Sequence, residues 1–309
     1  MALGVLADAL LADPRRGHPV AGFGRAAAAL ERATWRDSRA AGVRYTALAV
    51  GVPVVAAALL QRRAARSPLA ETALTAVSTW AVLGGTSLGR EADLMARHLQ
   101  GGDLSAARGR LSHLCARDPS GLGEKELARA TVESVAENTG DAVVAPLFWG
   151  AVAGVPGLVG YRAVNTLDAM VGYRNERHTN FGWASARLDD VANLLPARLT
   201  GLLTVPAARA VGGSPRRAAA VLAADRRVHP SPNAGWCEAA AAGALDVRLG
   251  GANTYHGAVE TRGTLHAAGR EPEVADIGRA VRLSRAVGLG AAALAVIAAG
   301  LTGRQGRSG

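Results

Sequence analysis

Residues 43–60 read VRYTALAVGVPVVAAALL, and residues 286–303 read AVGLGAAALAVIAAGLTG. The second stretch is uncharged throughout; the first carries only Arg44 near its start. At a rise of about 1.5 Å per residue, either stretch as a helix approaches the ~30 Å thickness of a bilayer's hydrocarbon core. A third run, residues 69–88, holds only Glu71 near one end. Ala-rich helices can also be buried in a soluble core, but three such runs in one chain favour membrane spans.

Two further apolar stretches are flawed as spans. Residues 142–160 are uncharged but contain Pro146, Pro156 and several glycines, which argue against a straight helix. Residues 191–211 place Arg198 at their centre, where a charge is costly in lipid. Both read as re-entrant, or as helices packed inside the protein against polar partners. The N-terminal MALGVLADALLA is too short and too acidic for a signal peptide. Arginines 15, 16, 25, 32, 36 and 39 outnumber arginines 62, 63 and 66 across the first span. That asymmetry favours a cytoplasmic N-terminus.

The composition agrees with this class. The chain of 309 residues is 49% hydrophobic, 19% charged and 4% aromatic, with a mean hydropathy of +0.13. These values exclude a disordered chain. Abundant Ala and Leu against few β-branched and aromatic residues argue for helix over sheet. The expected fold is an all-α polytopic membrane protein, one domain over 1–309, with some helices re-entrant or packed rather than spanning. Cys115 and Cys237 are too few for a disulfide scaffold and lack metal-site spacing. The net charge of +10 invites a nucleic-acid partner. Lys125 is the only lysine, however, and the arginines are scattered without interleaved aromatics, so no nucleic acid is expected.

Polar residues gather in four clusters. In TVESVAENTGD (131–141), a helix would place Glu133, Glu137 and Asp141 at i, i+4 and i+8 on one face, with Asn138 on its flank. Carboxylate and amide oxygens without thiols suit a hard cation such as Mg²⁺, although a solvated acidic face reads equally well. In YRAVNTLD (161–168), Arg162, Asn165 and Asp168 form a ridge rising from an apolar segment; GYRNER (172–177) follows with Arg174 and Asn175. In RLDDVAN (187–193), Asn193 lies three and four residues after Asp190 and Asp189, so that all three can meet. The bland alternative is an acidic helix start. The fourth cluster is DRRVHPSPNAG (225–235), with His229, Ser231 and Asn233 in a stiff turn, followed by Glu238 and GGANTYHG (250–257). No nucleotide-binding glycine motif and no nucleophile–base pair can be read from spacing.

ESVAENTGDAVVAPLFWG (133–150), YRAVNTLDAMVGYRNERHTNFGWASARLDDVANLLPARL (161–199) and HPSPNAGWCEAAAAGALDVRLGGANTYHG (229–257) resemble the CobD/CbiB family of cobalamin biosynthesis, the adenosylcobinamide-phosphate synthases. The N-terminal Asp8, Asp13-Pro and His18-Pro-Val fit the same pattern. Gly140 and Ala142 depart from the family's Ser and Gly, Ala169 from Ser, Cys237 from Pro and His178 from Tyr; none of these removes an ionisable group.

The resemblance implies a multi-pass protein of the cell membrane. Its implied reaction is the ATP-dependent joining of aminopropanol, or its O-phosphate, to a carboxylate of adenosylcobyric acid, with ATP as cosubstrate and Mg²⁺ as cofactor. The implied catalytic residues are Glu137, Asp141, Asp168, Asp190 and His229. The metal pool is Glu133, Glu137, Asp141, Asp189 and Asp190, with Asp168 beside it. Arg162, Arg174 and Arg187 would grip phosphate, and Asn138, Asn165, Asn175, Ser231 and Asn233 would bind substrate. Membrane lipid and other membrane-bound enzymes of cobalamin assembly are the further partners. Asp189-Asp190 beside a membrane helix also admits a Mg²⁺-dependent phospho- or prenyltransferase, and a non-enzymatic scaffold or transport subunit is the third reading.

Overall fold

The structure is a computed structural model and describes residues 1–14, 17–173, 175–255 and 258–305. In chain order come α1 (Ala2–Leu11), α2 (Pro19–Thr34), α3 (Arg39–Ala64), α4 (Pro68–Val82), α5 (Gly85–Gln100) and α6 (Leu104–Leu111). Next are α7 (Glu124–Thr139), a π-turn (Gly140–Val144), α8 (Ala145–Val171), α9 (Trp183–Ala192) and α10 (Leu194–Ala207), which ends in a 3-10 turn (Ala208–Val211). Then follow α11 (Pro215–Asp225), α12 (Ala234–Leu245), strands β1 (Leu249–Tyr255) and β2 (Ala258–Leu265), and α13 (Val274–Gln305). The fold is all-α apart from the antiparallel hairpin β1–β2, which the sequence reading did not anticipate.

Arg39–Ala64, Glu124–Val171 and Val274–Gly300 are long and apolar enough to cross a membrane, and the broken pair Trp183–Ala192 and Leu194–Val211 would make a fourth span. The apolar runs at 43–60 and 286–303 thus fall inside α3 and α13. The run 69–88 does not form one helix. It stops at Val82, Leu83 turns to extended backbone, and α5 starts at Gly85 with a different, amphipathic pattern. The 15 residues of α4 reach only about 22 Å as helix, short of a bilayer core.

The chain packs as two compact units whose segments alternate along the sequence, so no linker or shift in composition marks a boundary. Unit 1 comprises Met1–Gly84, Ala145–Asn193 and Ala292–Gly309. Its buried cluster joins Ala27 of α2, Tyr45 and Ala49 of α3, and Leu167 and Val171 of α8 to Phe181. The Tyr45 and Phe181 rings lie 4.9 Å apart. The opposite side of α3 exposes Val43, Leu48, Val52, Val55 and Leu59, an outward apolar face that suits lipid. The stretch 142–160 is irregular at two places, Gly154 and the π-turn that ends at Val144. Pro146 comes just after the π-turn Gly140–Val144, and the helix breaks at Gly154, whose φ of 64° only glycine adopts without strain. Just past the break, the Val155 N–H donates to Gln61 Oε1 at 2.7 Å.

Unit 2 comprises Gly85–Val144 and Leu194–Ala291. Its core gathers Met95 and Leu99 of α5, Leu111 of α6, Leu127 and Val132 of α7, Ala239 and Leu245 of α12, and Ile277 and Leu283 of α13. Helix α12 (AGWCEAAAAGAL) is buried on all sides, because its small residues let α10 and α11 approach closely.

Candidate functional site

The residues singled out in the sequence divide between the two units. Unit 1 holds Arg162, Asn165 and Asp168 on α8 and Arg187, Asp189, Asp190 and Asn193 on or beside α9, with Asn175 in the loop between them. Unit 2 holds Glu133, Glu137, Asn138 and Asp141 on α7 and the π-turn, and His229, Ser231 and Asn233 ahead of α12. Arg174 lies outside the described residues.

In unit 1 the apolar surroundings of α8 leave buried polar groups to satisfy one another. The Tyr161 hydroxyl donates to Asn193 Oδ1 at 2.9 Å, and Asn193 Nδ2 donates to Asp189 Oδ2 at 3.0 Å. Asn193 is 3% exposed, so this chain of bonds fixes the Asp189 carboxylate from below. Asp190 takes a different partner, accepting from Arg187 Nη1 at 3.2 Å one turn away. The two neighbouring aspartates therefore form a pair of hard oxygen donors held by separate partners.

Arg162 Nη1 approaches Asn165 Oδ1 at 3.4 Å, and the Asp168 carboxylate lies over Gly172, where any side chain would collide with it. Asn175 acts locally: its Oδ1 accepts the His178 N–H at 2.8 Å, closing a turn. Arg177 and His178 then reach Glu31 on α2 at 3.0 and 3.2 Å. The His18-Pro-Val motif starts α2, with His18 Nδ1 capping the Val20 N–H at 3.1 Å.

In unit 2 the acidic face of α7 does not continue as a straight row. The π-turn at Gly140–Val144 adds backbone between Glu137 and Asp141 and shifts the register that an ideal helix would give. Glu133 has a structural environment. Its buried carboxylate pairs with Arg117, lies 3.9 Å from Arg129 Nε, and accepts the Gly250 N–H at 2.8 Å. The charges of Asp141, Glu137 and Glu238 act instead on the buried Cys237. Burial and these three carboxylates push the Cys237 thiol well above its ordinary value. Gly140 packs so close to Cys237 Sγ that an added Cβ would sit 3.1 Å from it. Asn138 turns its amide back to the Ser134 carbonyl at 2.9 Å.

The Ser-Pro-Asn turn is a cap. Ser231 Oγ accepts the Asn233 and Ala234 N–H groups at 3.3 and 3.2 Å, starting α12. The Ser231 N–H in turn donates to His229 Nδ1 at 3.0 Å, which leaves the imidazole proton on Nε2. Nε2 faces Glu238 Oε1 at 3.7 Å, with both side chains buried. Asn233 Oδ1 accepts from Arg198 Nη1 at 3.1 Å, and the Arg198 guanidinium stacks 5.1 Å from the Trp236 ring centre, which also carries Arg226 at 5.2 Å.

Arg198 and Arg117 are the polar residues whose roles the sequence reading missed. Arg198 had a signal, a charge inside an apolar run, and its polar partner is Asn233. Arg117 had none, since its partnership with Glu133 is visible only in three dimensions.

Among the described residues, no three His, Cys, Asp or Glu side chains form a group able to hold a metal ion. An all-protein cage is therefore not the form a cation site takes in these residues. Asp189 and Asp190 are adjacent on α9 and held by different partners, so either one offers a single carboxylate of the kind that Mg²⁺ uses when substrate phosphate and water fill its other positions.

The CobD/Cbib protein family model matches residues 1–284. Cobalamin biosynthesis protein CobD of Mycobacterium tuberculosis is 55% identical over 296 residues, covering 96% of this chain and 93% of that protein. The proteins of the same name from Geobacter metallireducens and Rhodobacter capsulatus are 48% and 44% identical, over 84% and 88% of this chain and 84% and 86% of theirs. No solved structure matches. With the family match running through the helices that carry both polar clusters, the chain belongs to the CobD/CbiB family of cobalamin-biosynthesis proteins.

Proposed function

We propose that this protein is a multi-pass enzyme of the cell membrane that joins aminopropanol, or its O-phosphate, to the free carboxylate of adenosylcobyric acid at the expense of ATP. The observation that carries the reading is the family match over 1–284, which contains every candidate site residue. The chemistry asks for three things. A carboxylate has no usable leaving group, so its oxygen attacks the γ-phosphorus of ATP, giving an acyl phosphate and ADP. The amine nitrogen then attacks the acyl carbon, and orthophosphate departs. A base takes the proton that the ammonium gives up.

The residues can be assigned to these tasks. Arg162, Arg174 and Arg187 grip phosphate oxygens, which guanidinium forks do bidentately. Asp189 and Asp190 are the carboxylates we assign to Mg²⁺, which would neutralise the charge of the polyphosphate. Asn165 and Asp168 position substrate beside them. Glu137, Asp141 and His229 are the candidates for the base; His229 Nδ1 accepts the Ser231 N–H and Nε2 faces Glu238. Glu133 belongs to the scaffold.

Complementation tests the proposal. A strain lacking this step is fed cobyric acid or, separately, cobinamide. Growth restored on cobyric acid, in a strain that already grows on cobinamide, is the expected result. Absence of rescue with the protein present in the membrane would favour the phosphotransferase reading.

A further inference from the structure

We propose that the cavity where α7 begins, in unit 2, is a binding site for a phosphate group. This goes beyond the amide-ligase reading and holds whatever reaction the chain performs. The cavity, about 140 Å³, is lined by Lys125 and Arg129 of α7, Arg248, Gly250 and Gly251 at the start of β1, and Glu271. Three cations converge here, and one of them is the only lysine in the chain.

The cavity already holds an oxyanion of the protein's own. Glu271 Oε2 accepts from Lys125 Nζ at 2.9 Å, and Oε1 accepts from Arg248 Nη2 at 3.3 Å, so that one carboxylate bridges two cations as a phosphate would. These partners hold the Glu271 carboxyl below its ordinary value. All three side chains are substantially exposed, and such ion pairs exchange readily for an external anion. Phosphate brings three acceptor oxygens and a charge of roughly −1.5 to −2 against the single charge of Glu271.

Glu273 and Glu124 also act on Lys125, and Glu133 lies 3.9 Å from Arg129, so the incoming anion enters a mixed field and must take the place of Glu271. Glu126 turns to its own helix start, accepting the Gly123 N–H at 2.6 Å. Arg129 Nη1 donates to the Gly250 carbonyl at 2.6 Å, which fixes the guanidinium at the cavity wall. Gly250 and Gly251, with φ of 84° and 88°, contribute no side chain to fill the space. The first turn of α7 adds the positive end of a helix dipole, offset in part by its own Glu124 and Glu126.

The test is calorimetric titration of the full-length protein in detergent with sodium pyrophosphate and with a non-hydrolysable ATP analogue, and a parallel assay for retention of phosphatidylglycerol in mixed micelles. Glu271→Gln removes the internal competitor and should tighten binding several-fold. Lys125→Ala with Arg248→Ala should weaken it roughly tenfold to a hundredfold, the range for losing charge-assisted hydrogen bonds. Should the double variant fail to fold, Lys125→Gln alone carries the same expectation at smaller size. Pyrophosphate and the analogue competing for one site that the double variant weakens would assign a soluble phosphate; phosphatidylglycerol retention that the double variant abolishes, without pyrophosphate binding, would assign a lipid headgroup. The proposal is overturned if none of the three probes binds wild type or Glu271→Gln, or if binding ignores the loss of Lys125 and Arg248.

Discussion

The Gly250 N–H donates to Glu133 Oε1 at 2.8 Å, tying the start of the hairpin to the middle of α7 across 117 residues of sequence. The same carboxylate neutralises the buried Arg117. Glu133→Gln should therefore lower stability by about 3–5 kcal/mol, because it leaves a guanidinium buried without its counter-charge. Denaturant titration of the detergent-solubilised protein checks this, and adding Arg117→Met should recover part of the loss. An unchanged midpoint with abolished activity would return Glu133 to the chemistry.

Asp190→Asn and Glu137→Gln remove one negative charge each from half-buried side chains without changing shape. Both should abolish complementation while the protein still accumulates in the membrane. Wild-type growth with both variants would defeat the assignment of these carboxylates to metal and proton chemistry.

Tyr161→Phe removes the donor to Asn193 Oδ1 in a buried site. The expected loss is about 1–3 kcal/mol, the desolvation penalty of an acceptor left without its bond. Activity should fall further than stability alone explains, since Asn193 also holds Asp189. Equal activity per folded molecule in the variant and wild type would separate Asp189 from the reaction.

Asp246 supplies a pH dependence. His266 Nε2 lies 2.8 Å from Asp246 Oδ1 and Arg217 lies 3.1 Å from Oδ2, and these contacts hold the carboxyl below its ordinary 3.8. A depressed folded value means stabilisation that is present above the unfolded value and disappears as pH falls through the folded one. Asp246→Asn should lower the melting temperature at pH 7, with the difference from wild type closing below about pH 3.8. Asp246 is 48% exposed, so the effect should stay within about 1 kcal/mol and shrink with added salt.

Cys237 is buried and its thiol is pushed up strongly; Cys115 is less enclosed and its thiol is raised by burial. The thiolate is the reacting form, so maleimide at neutral pH should label Cys115 slowly and Cys237 only after unfolding. Mass spectrometry of labelled peptides reads this directly. Fast native labelling of Cys237 would contradict its packing against Gly140.

Hydropathy made α3 and the apolar part of α13 legible, because long uncharged runs leave few alternatives to a span. It misplaced 69–88 as a single helix, because counting charges passes over the Gly84-Gly85 pair that follows the extended Leu83. Pro156 was flagged as a breaker, but the break falls on Gly154, where the missing Cβ makes room for the Gln61 amide. The hairpin escaped notice because GGANTYHG reads as glycines awaiting a ligand rather than as a strand start. At the site, residue types were legible and partnerships were not. Glu133 and Glu137 are alike in sequence, and only Arg117 and Gly250, contributed by distant segments, separate scaffold from candidate chemistry.

The alternation of the two units along the chain bears on how the protein is made. Unit 2 receives its last segment at Ala291, and unit 1 draws its last from the residues that follow. Synthesis proceeds from the N-terminus, so unit 2 has all its parts only when α13 is half made, and unit 1 only after that. Early helices must therefore wait in the membrane for later ones. A premature stop after Ala291 would deprive unit 1 of its final segment, and one before Ala291 would leave both units incomplete.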